Sequence, residues 1–133
     1  MVQKEAADRL AAVPGTRASS AISCAVNYYA ASRLMFTAAP GSFYPAPKVT
    51  SAVVRMDIRP TPAVQVEDED GYFALIRAAF GQRRKTAANA IASGLNLPKE
   101  KVIAAIEASG FDARIRPEAL TLSDFAKIQQ ALA

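Results

Sequence analysis

Two short stretches of this sequence carry residues that could do chemistry, and the first is basic. Arg83-Arg84-Lys85 follows Arg77 within residues 71–99, a segment that contains no acidic residue. Guanidinium and ammonium groups bind phosphate oxygens, which gives affinity and salt dependence without discriminating between base sequences. Arg77 and Arg84 would share one helix face if a helix continued through Gly81. The run therefore predicts a contact with a nucleic-acid backbone, and a solvated helix end is the alternative interpretation.

The second stretch is aromatic. Phe43-Tyr44 precedes Pro45, Pro47 and an apolar, β-branched run. Because proline fixes its own backbone angle, the two rings stand on a stiff loop. A ring held in this way can stack on a flat ligand, and stacking on a nucleic-acid base is worth roughly 1–3 kcal/mol. Packing of the rings into a core is the competing interpretation.

Most other kinds of active site are absent from the sequence. There is no histidine, and Cys24 is the only cysteine, which excludes histidine-dependent triads and zinc held by histidine or several thiolates. The six glycines are dispersed, so they form no glycine-rich nucleotide loop. The acids at 67–70 are expected to begin a helix rather than to form an acid–base pair. The chain alone therefore shows no complete active site, and no metal site is expected.

Length and composition limit the fold and its location. The 133 residues allow one domain or parts of two, and 51% of them are hydrophobic, enough to bury a core. The net charge is +4. No apolar run is long enough to span a bilayer, and the first residues have no signal-peptide pattern. We therefore expect a cytoplasmic location and no membrane partner.

Residues 1–60 have a mixed pattern. Helices are predicted for residues 1–12 and, after a cap at Ser19 or Ser20, for the segment that follows. Strands at 33–38 and 48–58 are expected to pair antiparallel. Two strands and two helices would leave a sheet edge unsatisfied, which favours a fragment of a larger domain.

Residues 64–133 have a helical pattern throughout, after a stiff connector that contains Pro60 and Pro62. Four helices are predicted, and their ends follow from capping residues. The expected boundaries are a cap at Asp68 or Asp70, a second helix at 82–93 closed by Gly94, a third between Pro98 and Gly110, and a Thr121–Asp124 capping box before the fourth.

Several of these stretches resemble one enzyme family. "SFYPAPKVTSAVVR" (42–55) and "RAAFGQRRKT" (77–86) are similar to the paired C-terminal signatures of the small-subunit ribosomal RNA adenine dimethyltransferases. "MVQKEAADRL" (1–10), "NYYA" (27–30) and "SGFDARIRPEALTLSDFA" (109–126) fit the same family in the same order. The similarity covers essentially the whole chain.

The resemblance implies a fold and a reaction. Enzymes of this family join a doubly wound methyltransferase domain, which binds S-adenosylmethionine, to a small helical domain, and they dimethylate the N6 amine of two adjacent adenines in small-subunit rRNA. The expected fold class is an α/β remnant, the C-terminal end of that sheet with two strands plus helices, followed by a small all-α domain. Residues 1–60 would be the end of the methyltransferase domain, and 64–133 the helical RNA-binding domain.

The resemblance also implies roles for individual residues. Phe43 matches an aromatic residue of the family that stacks on the extruded adenine. The run Arg83-Arg84-Lys85 matches the family's RNA-contacting residues, and Arg9 and Arg116 match further basic positions. The sequence departs from the family pattern at 17–22 and 87–90, where one aromatic and two basic residues of that pattern are missing. These departures put RNA contact through those two surfaces in doubt.

The family's cofactor-binding and catalytic loops would precede this segment. We therefore expect no cofactor bound to this chain and no activity of the chain in isolation, although the full-length enzyme would use S-adenosylmethionine. The expected partners are small-subunit rRNA in a ribosomal subunit precursor, the N-terminal half of the enzyme, and a second copy through an exposed sheet edge. The alternatives are a non-catalytic RNA-binding helical module and a structural fragment without activity of its own.

Overall fold

The computed structural model describes residues 2–39, 41, 50–82 and 84–132. It contains three strands and six helices in these ranges, together with a short 3-10 turn at Pro117–Ala119. In chain order the elements are β1 (Val2–Gln3), α1 (Lys4–Ala11), α2 (Ala21–Tyr29), β2 (Ala30–Ala38), β3 (Ser51–Ile58), α3 (Glu69–Ala79), α4 (Ala87–Leu95), α5 (Lys99–Ala108) and α6 (Leu122–Leu132). None of the helices described is long and apolar enough to cross a membrane.

The strands form one antiparallel sheet in the order β1-β3-β2. The predicted antiparallel pair is confirmed: Ala30 lies opposite Ile58 and Ala38 opposite Ser51, with a β-bulge between Leu34 and Phe36. The expected number of two strands is wrong, because β1 also pairs with β3. A strand of two residues is too short to produce the alternating pattern by which strands are predicted.

The described helices cover the sheet only in part. Helix α1 packs on β2 and β3, and α2 packs on β2. Ala52 is fully buried, whereas Phe36 and Ile58 are 59% and 76% exposed. The apolar run that predicts this strand is therefore fully buried only at Ala52.

The main core lies among α3, α4, α5 and α6. Its largest fully buried side chains include Tyr72, Ile91, Ile106 and Phe125. The Tyr72 hydroxyl donates a hydrogen bond of 2.7 Å to the Leu122 carbonyl, which satisfies this polar group inside the core.

Most predicted helix ends are confirmed. Ser20 caps α2 through a capping box with Ser23. Asp68, rather than Asp70, caps α3 by accepting a hydrogen bond from the Gly71 amide. The Thr121–Asp124 capping box and the left-handed Gly110 are present as well.

The predicted second helix of the helical part begins and ends too early. Helix α4 begins at Ala87 after the cap Thr86, so residues 82–86 are not helical, and it ends at the left-handed Asn96. Gly94 lies inside this helix instead of closing it. A Cβ added at Gly94 would lie 2.6 Å from the Cβ of Ala78, so the glycine is required by the close crossing of α3 and α4.

The connector after β3 is bound to the end of α2. Three of the last carbonyl groups of that helix accept hydrogen bonds from it. The Arg59 side chain donates from Nε to the Asn27 carbonyl (3.0 Å), the Arg59 amide to the Tyr29 carbonyl (2.8 Å), and the Ala63 amide to the Tyr28 carbonyl (3.0 Å). The predicted stiff connector therefore also serves as the C-terminal cap of α2.

An aromatic cluster lies next to this cap. Tyr28 is buried, and its ring contacts those of Tyr29, Tyr72 and Phe73 at centroid distances of 4.9, 5.6 and 5.0 Å. Its hydroxyl donates to Glu69 at the start of α3. Burial, and then the neighbouring Glu69 carboxylate, raise the pKa of Tyr28 to about 12.

We expect Gly94→Ala to lower the free energy of unfolding by about 1 kcal/mol. The added methyl group gains roughly 1 kcal/mol of helix propensity, but overpacking against Ala78 costs about 1–3 kcal/mol. Urea unfolding measures the balance, and Ala78→Gly in the Gly94→Ala background should recover part of the loss. A variant more stable than the wild type would contradict the close helix crossing.

We also expect stability to fall at alkaline pH through Tyr28. An unfolded tyrosine has a pKa of about 10, so the neutral phenol is favoured in the folded state. The contribution of the neutral Tyr28 phenol to the free energy of unfolding is complete below about pH 10, and it is lost as the pH rises toward the folded pKa of about 12. Unfolding free energies between about pH 9 and pH 11.5 should fall more steeply for the wild type than for Tyr28→Phe. Equal slopes would contradict this origin.

Candidate nucleic-acid interface

An open groove of about 580 Å³ lies between the sheet-containing residues and the helical residues. One wall is formed by Arg9 of α1 and by residues 18–22, where α2 begins. The opposite wall is formed by the segment after α3 and by the 3-10 turn near Arg116. The groove is therefore built from parts of the chain that are far apart in sequence.

The groove is strongly basic. Four of its lining residues are cationic, namely Arg9, Arg84, Lys85 and Arg116, against one acid, Glu118. All four basic residues are exposed to solvent. Arg9 forms an exposed ion pair with the Glu5 carboxylate at 3.3 Å. The other three basic residues have no ion pair within the described ranges. The groove can therefore bind a polyanion.

The capping box of α2 positions the first wall. Ser23 donates from its hydroxyl to the Arg9 carbonyl at 2.6 Å and accepts from the Ser20 amide at 3.1 Å. These two bonds tie the end of α1 to the start of α2 and hold Arg9 beside the groove. The positive end of the α2 dipole faces the same space and adds to its attraction for anions.

A left-handed turn positions the second wall. Arg84 has a φ of +65°, a conformation that costs an L-residue other than glycine roughly 1–2 kcal/mol. The Lys85 amide donates to the Gln82 carbonyl at 3.4 Å, and the Gln82 side chain donates to the Ser93 hydroxyl at 3.0 Å. The turn reverses the chain between α3 and α4 and places Arg84 and Lys85 on the groove.

The structure separates Arg77 from the other predicted basic residues. Helix α3 ends at Ala79, so the continuous helix that would carry Arg77 and Arg84 on one face is not formed. Arg77 instead lines a shallow depression between α3 and α4, beside Gly94. Its position gives no support for a role in the groove.

Two of the predicted site residues, Phe43 and Arg83, lie outside the described residues. So does the Phe43-Tyr44 loop with its two prolines. Their roles in stacking and in phosphate contact stay predictions.

The sequence interpretation missed part of the groove wall. The departure from the family pattern at 17–22 gives no reason to expect a groove wall there, but residues 18–22, which lead into α2, line the groove. The available signal was the Ser20 cap, which marks a helix end with unpaired amides. Phe80 also lines the groove, and its ring packs on Phe125 at 6.0 Å, so it anchors this wall to the core.

Comparisons with known proteins agree on one family. The family model described as "Ribosomal RNA adenine dimethylase" matches residues 1–132. A ribosomal RNA small subunit methyltransferase A from Desulfitobacterium hafniense is 43% identical over 132 residues, which are 99% of this chain and 47% of that protein. A protein of the same name from Pelotomaculum thermopropionicum is 47% identical over 129 residues, 96% of this chain and 44% of that protein. The chain spans about half the length of these curated relatives.

Solved structures show the same fold. A dimethyladenosine transferase from Plasmodium falciparum matches with a TM-score of 0.71 at 21% identity, over 95% of this chain and 53% of that one. The 23S rRNA methyltransferase ErmE matches with a TM-score of 0.64 at 18% identity, over 98% of this chain and 52% of that one. At these identities the likeness concerns the fold alone.

Proposed function

The chain belongs to the ribosomal RNA adenine dimethylase family, and from this premise we propose that it is the RNA-holding, C-terminal portion of such an enzyme. The complete enzyme would transfer methyl groups from S-adenosylmethionine to two adjacent adenines of small-subunit rRNA in a ribosomal subunit precursor. Residues 1–60 would complete its methyltransferase domain, and residues 64–133 would form its helical domain.

One observation carries this proposal: four basic residues from three distant segments converge on one groove. Arg9, the pair Arg84 and Lys85, and Arg116 can each bind a different phosphate of a folded RNA strand. Contacts of this kind fix the register of an RNA without reading its bases. The groove would therefore hold the rRNA backbone while the target adenines reach the methyl donor elsewhere.

Holding the RNA contributes to the reaction by positioning. A methyl transfer from a sulfonium donor needs the adenine amine aligned with the methyl carbon and water excluded, and such alignment supplies much of an enzyme's rate enhancement. The adenine has to leave its stack to be methylated. Phosphate binding by the four basic residues of the groove would offset part of the free energy that unstacking costs.

The described residues do not fit a site for S-adenosylmethionine. Two glycines that could approach a cofactor, Gly71 and Gly94, are instead packed against Asp68 and Ala78. The groove is rich in cations, and its single acid, Glu118, is half-buried in its wall. We therefore propose that the donor is held by other parts of the enzyme.

Exposed apolar residues on the strands suggest where those other parts lie. Phe36 and Ile58 are mostly exposed on the sheet, at two positions that the described helices leave uncovered. We propose that the cofactor-binding part of the enzyme covers these positions, with a second copy of the chain as the alternative occupant. A non-catalytic RNA-binding module is the second candidate function, because the groove needs no catalytic group to bind RNA.

Neutralising the groove should abolish most RNA binding. We expect the triple variant Arg84→Asn, Lys85→Gln, Arg116→Gln to bind a hairpin from the 3′ end of small-subunit rRNA at least about tenfold more weakly. Its slope of log affinity against log salt should be shallower by about 2–3, because each lost phosphate contact removes about 0.7–0.9. Fluorescence anisotropy between roughly 50 and 300 mM salt measures both quantities. Asparagine is chosen at position 84 because it tolerates the left-handed backbone.

The matched control removes the same charge elsewhere. Lys99→Gln, Lys101→Gln and Arg114→Gln lie on α5 and the turn that follows, and none of them lines the groove. This variant should keep most of the wild-type affinity and slope. Equal losses in the two triple variants would mean that net charge, rather than the groove, binds the RNA.

Phe43 should be required for methylation rather than for RNA binding. We expect Phe43→Ala, in the full-length enzyme, to lower adenine turnover about 5- to 100-fold, since base stacking is worth roughly 1–3 kcal/mol. Phe43→Tyr keeps the ring and should retain activity. Radiolabelled methyl transfer to rRNA measures the effect, and unchanged turnover in Phe43→Ala would reject the stacking role.

A further inference from the structure

Helices α2 and α3 connect the basic groove to the aromatic cluster. Helix α2 begins at the groove, where Ala21 and Ile22 line the wall, and ends at the cluster with Tyr28 and Tyr29. Helix α3 runs the opposite way, from Glu69 at the cluster toward the groove, where Phe80 follows its last turn. At 1.5 Å per residue α2 is roughly 13 Å long, so the cluster and the groove lie at opposite ends of the two helices.

One carboxylate joins the two helices at the cluster. Tyr28 donates to Oε1 of Glu69 at 3.0 Å, and Tyr29 donates to Oε2 of the same residue at 3.3 Å. Phe73 lies one turn further along α3 and contacts both tyrosine rings, at centroid distances of 5.0 and 5.9 Å. Both oxygens of Glu69 are therefore used to hold the last two residues of α2.

These two hydrogen bonds join the sheet-containing part of the chain to the helical part. Among the residues that the structure describes, they are the only side-chain hydrogen bonds between residues 2–58 and residues 64–132. At the groove end, the described wall residues from the two parts make no hydrogen bond to each other. The two parts also pack together along α2, where Cys24 belongs to the buried core and Ala21 contacts it. Among the described residues, however, side-chain hydrogen bonds join the two parts only at the cluster end.

We propose that Tyr28, Tyr29 and Glu69 form a positioning clamp that sets the width of the basic groove and thereby the affinity for RNA. The inference rests on the proposed function for its ligand, although the geometry of the clamp is independent of it. The clamp residues touch no phosphate: they act through the helices whose far ends carry the groove walls. With the clamp open, the basic side chains of the two walls lie too far apart to contact the phosphates of one RNA strand at the same time.

The variants separate hydrogen bonding from packing and charge. Tyr28→Phe with Tyr29→Phe removes both hydroxyl donors and keeps the rings and the net charge. Glu69→Ala removes the acceptor, whereas Glu69→Gln keeps one acceptor oxygen and should rescue part of the effect. Asp70→Asn is the matched control, because it removes one charge from the same first turn of α3 and makes no side-chain hydrogen bond to either tyrosine.

The width of the groove can be measured without RNA. Arg17→Cys and Ala119→Cys place spin labels at exposed positions beside the two walls, and native Cys24 is buried. Double electron–electron resonance then gives the distance distribution between the walls. We expect a longer and broader distribution in the Tyr28→Phe, Tyr29→Phe variant and in Glu69→Ala, and an unchanged one in Asp70→Asn.

RNA affinity provides the second measurement. We expect the clamp variants to raise the Kd for the rRNA hairpin about three- to tenfold, because the cations of the two walls then meet the phosphates less well at the same time. Asp70→Asn should leave the Kd unchanged, and Glu69→Gln should fall between the wild type and Glu69→Ala. Thermal unfolding of each variant checks that it is folded, and the single variant Tyr29→Phe, at an exposed residue, removes one of the two bonds without a change in the core.

Each outcome decides one of the two proposals. An unchanged wall-to-wall distance overturns the clamp, whatever the RNA affinity does. A longer distance with an unchanged Kd overturns its role in RNA binding. A wild-type chain that binds no RNA overturns the proposed function, and a longer distance in the variants still supports the clamp as the determinant of groove width.

Discussion

The carbonyl groups at the end of α2 impose the constraint on which the rest of the structure depends. Helix α2 passes directly into β2 at Ala30, with no glycine to turn its last carbonyls toward amides of the same segment. Buried carbonyls without partners destabilise a fold by about 1–3 kcal/mol each. The connector after β3 supplies the partners through Arg59 and Ala63. Because α3 begins a few residues later, this capping also places the helical part against the sheet.

The basic groove follows from that placement. Its cations come from α1, from the turn between α3 and α4, and from the segment before the 3-10 turn. Each of these segments contributes only one or two of the four cations that line the groove. Their convergence requires α2 to carry the first wall and the packed core around Phe125 to carry the second. The electrostatics of the groove are therefore a property of the joint between the two parts.

Local patterns were sufficient to predict most secondary structure. Caps at Ser20, Asp68 and Thr121 act within one turn of a helix, so their residue types and spacing identify the helix ends directly. The predictions failed where a contact between residues distant in sequence determines the secondary structure. β1 exists because β3 lies beside it, and Gly94 is in a helix interior because Ala78 crosses it. Neither contact leaves a trace in the neighbouring sequence.

Patterns in the sequence identified the family, the kinds of residue available to hold RNA, and most of the helices and strands that carry them. Which basic residues share a surface depends on tertiary packing, which joins Arg9, Arg84, Lys85 and Arg116 in the groove and leaves Arg77 outside. A helix end is stabilised by bonds between near neighbours, whereas a charged surface forms only where distant segments pack together. The left-handed backbone at Arg84 illustrates the difference, because this one turn places the side chains of Arg84 and Lys85 on the groove.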